Sequence, residues 1–177
     1  FNAHGIFYYL PRPNSGGIAH IKPITTHNKR ITDFCSWRGL LALAGCENTV
    51  EKDDGHFIKS EDGKVGLWFG DVDDLWKLGK PTGQGGPWKN TRVYKNIPSD
   101  PYLMTGFDKK TVELAHSYDG SIQFTIEVNF AMNLDVAGDD YSRWHKLRNE
   151  TVEGGEKKVY TFPEGFNAHW VRLKTDR

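Results

Sequence analysis

The clearest periodicity in the chain lies at residues 122–130. Ile122, Phe124, Ile126, Val128 and Phe130 alternate with Gln123, Thr125, Glu127 and Asn129. A period of two predicts an antiparallel strand with one face on a core and the other in water. Shorter runs follow the same rule. Residues 18–24 alternate apolar and polar, and residues 31–37 read as a strand. Arg38-Gly39 then makes a tight turn, and 40–44 is its hairpin partner. Residues 65–69 form a further strand. Residues 102–107 and 111–116 are strand candidates joined at Asp108-Lys109-Lys110, and 144–147 is a short one. Residues 157–162 and 169–175 are joined at Pro163-Glu164-Gly165. Residues 71–78 fit a helical turn as well as an irregular edge. No segment sustains a 3.6-residue pattern. The expectation is an all-β fold of antiparallel sheets, a β-sandwich or partial β-propeller, with little helix.

The length, 177 residues, suits one all-β unit over 1–177, with a subdivision at 1–97 and 98–177. The connector around 92–101 supports that subdivision, because Pro98 and Pro101 withhold ladder donors. The chain opens mid-pattern at Phe1 with no leader, and reads as a piece of a larger multidomain chain. Phe1-Asn2-Ala3-His4 returns as Phe166-Asn167-Ala168-His169, each before an aromatic-rich strand. That echo raises the expectation of a structural repeat, in which His4 and His169 are hydrogen-bonders rather than ligands.

Composition narrows the classes. Aromatics make up 13% of the chain and all hydrophobics 37%, so much of the core must be aromatic. Formal net charge is +0 from 23 basic and 23 acidic residues, which argues against nucleic acid as a partner. No apolar run approaches the roughly 20 residues that span a bilayer, so no membrane insertion is expected. The hairpin at Arg38-Gly39 places Cys35 opposite Ala42, with Cys46 about 13 Å further along. A disulfide needs Cα atoms within about 7 Å, so two free, buried thiols are expected.

The candidate chemistry concentrates around residues 61–88, which hold Trp68, Trp76 and Trp88 among several glycines and acids. The apolar face of a pyranose stacks on an exposed indole while neighbouring polar groups meet its hydroxyls. Trp37, Trp76 and Trp88 have polar or glycine neighbours and are the glycan-contact candidates. Trp68 sits inside an apolar strand and reads as core. The competing assignment for all of them is core packing. His20, His27, Lys29 and Arg30, with Arg38 a hairpin away, form a donor cluster suited to an acidic sugar. His27 beside Arg30 also has the makings of a base that removes a proton next to a uronate carboxylate. A solvated loop is the competing reading. Asp71, Asp73 and Asp74 are oxygen ligands of the kind Ca²⁺ takes, without the spacing of a calcium loop. Otherwise no cofactor is implied. Asp33, Asp73, Glu113 and Glu127 supply carboxylates, but no spacing singles out a hydrolytic pair. Asn149-Glu150-Thr151 matches a glycosylation sequon.

The motifs ITDFCSWRGLLALAG and KVGLWFGDVDDLWKLG resemble the inner strands of a β-propeller blade. Ser117-Tyr118-Asp119-Gly120 resembles the Asp-box turn of sialidase-like propellers, without the usual spacer between Asp and Gly. Over about residues 31–130 the chain is similar to bacterial carbohydrate-active proteins with β-propeller-like and β-sandwich modules. That resemblance implies a secreted protein, extracellular or periplasmic, engaged in glycan degradation with oligo- or polysaccharide as partner. The leading expectation is a glycan-binding module using aromatic and basic residues. The alternatives are part of a polysaccharide lyase or glycosidase acting on an acidic glycan, and a purely structural or interaction domain. Whether the chain is an enzyme stays open between these.

Overall fold

The computed structural model describes residues 1–27, 29–45, 55–130 and 143–177. Among the described residues thirteen strands carry the architecture, and the helical elements are short 3-10 turns. The fold is all-β with antiparallel pairing, as the alternating pattern requires. The chain divides into two compact units. The first comprises Phe1–Tyr9 and Pro23–Thr82, and the second Leu10–Lys22 and Gly83–Arg177.

In the first unit β1 (Asn2–Ala3), β2 (Ile6–Tyr9) and β3 (Lys22–Thr26) form one sheet in that order. A second sheet is built from β4 (Asp33–Trp37), β5 (Leu40–Ala44), β6 (Phe57–Lys59) and β7 (Gly66–Gly70), in the order β4-β5-β7-β6. The Arg38-Gly39 hairpin forms as expected. Both residues take positive φ, 51° and 86°, as a tight two-residue turn demands. Cys35 pairs with Ala42. Leu43 stands opposite Trp68, and Trp68 opposite Phe57, so these side chains share the inner face. With Phe7 and Leu75 they make the core of this unit. Trp68 is only 1% exposed, which confirms it as core.

The second unit is a sandwich. β8 (Tyr102–Leu103), β9 (Thr111–Ala115), β10 (Ile122–Asn129), β11 (His145–Val152), β12 (Lys157–Thr161) and β13 (Trp170–Thr175) make two sheets, β11-β10-β13-β8 and β12-β9. The pairs nest: β8 with β13, β9 with β12, β10 with β11. Nested pairing across two sheets is the arrangement of Greek-key and jelly-roll sandwiches. Leu114 and Phe162 meet Ile122, Phe124, Ile126 and Val128 in one core.

Several local expectations are corrected. Residues 18–24 are not one strand: a 3-10 turn occupies Gly17–His20 and β3 starts at Lys22. The candidates at 102–107 and 111–116 do not pair with each other, because β8 joins β13 and β9 joins β12. The polar face of β10 is not simply solvated, since Glu127 and Asn129 are buried. Cys35 is an exposed free thiol rather than a buried one, because β4 is an edge strand exposed along its whole length. Cys46 lies outside the described residues. The repeated tetrapeptide does not adopt one structure. Asn2 and Ala3 form β1 and His4 turns through φ 50°, whereas Phe166–Ala168 is irregular and His169 has no positive φ.

Candidate functional site

The element that presents a ring to solvent follows β7. Asp71 caps a 3-10 turn at Val72–Lys77 through a capping box with Asp74. The Asp71 backbone N–H donates to Asp74 Oδ2 at 2.8 Å, and Lys77 Nζ donates to Asp74 Oδ1 at 2.7 Å. The Lys77 ammonium and the Asp71 N–H together hold the Asp74 carboxyl below its usual range. Leu75 points inward into the core of the first unit, and Leu78 packs beside it. Trp76, one residue on from Leu75, is turned outward and is 70% exposed. The segment after the turn is also tied down. Thr25 Oγ1 donates to Gly79 O at 2.5 Å, and Thr82 N–H donates to Thr26 Oγ1 at 2.7 Å. A β-carbon on Gly79 would lie 2.8 Å from Thr26 O, so only glycine fits under this strap. The indole is thus held outward by a turn fixed at both ends. Among the described residues no other ring or cation stacks on it.

The other predicted residues fall elsewhere. Trp37 is 51% exposed on β4, but its ring is occupied: the Arg38 guanidinium lies 4.9 Å from its centroid and Phe69 lies 5.9 Å away. Trp88 is half-buried against the sandwich core of the second unit. Its flanking glycines therefore do not leave it uncovered, contrary to the expectation. Arg30 is exposed.

His27 is buried, and both of its ring nitrogens have hydrogen-bond partners. Its Nε2–H donates to Asn2 Oδ1 at 2.9 Å, and its Nδ1 accepts from the Lys29 N–H at 3.3 Å. Phe7 packs on its ring at 5.1 Å. Burial pushes its pKa below the ordinary imidazole value, and burial does the same to His169 in the second unit. Both therefore hold a proton less tightly in the fold than in the unfolded chain, which titrates near about 6.5. Between the two values the unfolded chain binds more protons, so stability falls as pH drops through that window. The urea midpoint is expected to fall between about pH 7.5 and 5.5, and to fall less steeply in His27→Gln. An equal slope in the variant would show that His27 does not contribute.

The acid cluster does not assemble a cation site. Both Asp74 oxygens are committed within the turn, and among the described residues no group of three or more His, Cys, Asp or Glu is arranged around a common point. Of the carboxylates considered for hydrolysis, Glu113 pairs with Lys157 at 2.7 Å, and Glu127 pairs with Arg172 and Lys174 at 2.7 and 2.6 Å. Asn149 of the sequon sits inside β11 with its amide N–H donated to Gln123 Oε1 at 2.7 Å. Sequence reasoning missed the Glu127–Arg172–Lys174 group altogether. Its one signal was the alternation that puts Arg172 and Lys174 on the same face of β13.

The geometry defines an all-β protein that combines a small aromatic-cored unit with a sandwich, and presents one uncovered indole on a fixed turn. No family model, curated protein or solved structure matches this chain.

Proposed function

We propose that the chain is a glycan-binding module and that Trp76 is its stacking residue. The observation that carries this reading is a single one. A large indole is 70% exposed on a turn whose neighbours are bonded at both ends. Leaving an indole in water is unfavourable, and an exposed ring on a fixed support loses little conformational entropy on binding. A pyranose meets such a ring with its C–H face, and Asp73, exposed on the same turn, is a carboxylate to which sugar hydroxyls can donate. Arg30 and Arg38 add exposed cations in the same unit, which extends the reading to acidic oligo- and polysaccharides. A secreted, extracellular or periplasmic setting within a larger carbohydrate-active protein accords with this proposal.

Binding is tested by affinity electrophoresis through gels containing neutral and uronate polysaccharides. Retardation is expected on at least one polymer. Trp76→Ala is expected to weaken it by about tenfold, since aromatic contacts are worth about 0.5–1.5 kcal/mol beyond the apolar area they bury. The fold of the variant should be unchanged, because the ring contributes nothing to the core. Equal retardation of wild type and variant would remove Trp76 from the site.

A further inference from the structure

The sheet β4-β5-β7-β6 has a second apolar face. Trp37 stands opposite Leu40, and Cys35, Ala42 and Phe69 form the next row across three strands. Asp33, Ala44, Leu67 and Ile58 form the third row. These are the side chains that do not point at Trp68 and Leu43. Ile58 is 63% exposed, and Phe69 and Leu67 are half-buried. The strands LLALA and GLWFG are apolar on both faces, which is the pattern of a sheet covered on both sides. A contiguous apolar face of this kind marks an interaction surface.

We infer that this face is covered by the same face of a second copy of the chain. The argument is self-complementarity. β4 carries Asp33 at one end of the face, and Arg38 lies over Trp37 at the other. Place two faces together with a twofold axis in their midplane, perpendicular to the strands. Each Arg38 then approaches the partner's Asp33, and each bulky Leu40 lies over the partner's small Ala44. Such an interface is isologous: every contact occurs twice. The opposite charges at its two ends fix the register, and the apolar rows between them supply the burial. Two sheets packed this way sit about 10 Å apart, a spacing the small Ala42 of the middle row permits. The same face is poorly suited to a sugar, because Arg38 already occupies the Trp37 ring. Trp76 is not on this sheet, so the proposal stands apart from the stacking ring of the glycan reading, and Arg38 is the one residue the two share.

Sedimentation equilibrium of the purified chain tests it. The chain is expected to be dimeric. Leu40→Lys is expected to weaken the dimer by about a hundredfold by burying a charge. Asp33→Lys and Arg38→Glu should each weaken it roughly three- to tenfold by setting like charges together. The double swap Asp33→Lys/Arg38→Glu should restore it, because the reversed charges again face each other. Near-ultraviolet circular dichroism confirms that each variant is folded. A monomer at all concentrations overturns the proposal. So does a dimer indifferent to the swaps, which would place the contact at the exposed β4 edge or elsewhere.

Discussion

Trp68→Ala is expected to destabilise the first unit by about 3–5 kcal/mol, the cost of emptying a large buried aromatic site. The ring is enclosed by Leu43, Phe57 and Phe7, and His56 stacks on it at 5.1 Å. His56 is itself held by donating Nδ1–H to Phe69 O at 2.7 Å. The indole also lies along its own strand over Gly70, where a β-carbon would be 2.4 Å from Trp68 Cη2. Gly70→Ala should therefore act on the same core by displacing the ring. Trp68→Phe should cost less than Trp68→Ala. It keeps an aromatic ring, and it removes an indole N–H that is buried without an acceptor among the described residues. Urea denaturation followed by near-ultraviolet circular dichroism reads all three. A loss below about 1 kcal/mol for Trp68→Ala would show that this core does not hold the unit together.

The second large effect is expected in the sandwich. Glu127 on β10 accepts from Arg172 at 2.7 Å and from Lys174 at 2.6 Å, both on the adjacent β13. Glu127 and Arg172 are both buried, and Arg172 also lies 4.3 Å from the Trp144 ring. Removing one partner of a buried ion pair costs about 3–5 kcal/mol, because the other charge loses the group that offset its desolvation. Glu127→Ala should show that loss. Glu127→Leu/Arg172→Met, which removes both charges and keeps volume, should recover much of it. If the double variant is no more stable than the single one, the pair is not the source of the effect.

These two residues also show what local pattern conveys and what it does not. Trp68 was readable as core, because it sits in an unbroken apolar strand. Glu127 was not, because alternation assigns it to a polar face without saying whether that face is wet. Strand positions with strong alternation, such as β10 and the β4–β5 hairpin, were legible. Pairing was not: β8 meets β13 and β9 meets β12 across long sequence separations, and nothing local specifies those partners. β11 was largely hidden, because its sequence HKLRNETV is mostly polar. Its inward-facing Glu150 is reconciled with burial by Arg148 and by Lys158 at 2.6 Å. At the candidate site, polar neighbours drew attention equally to Trp37, Trp76 and Trp88. Only the fold separates them: the capped turn puts Leu75 inside and Trp76 outside, Arg38 lies on Trp37, and the sandwich core takes up Trp88.

The claim that Trp76 is the sugar-stacking residue is tested most directly by following the six tryptophan indole N–H signals during titration with oligosaccharides in a proton–nitrogen correlation spectrum. The expected result is a selective, saturable shift of the Trp76 signal, with the signals of buried Trp68 and Trp170 unmoved. A Trp76 signal that stays fixed across neutral and acidic oligosaccharides would contradict the account.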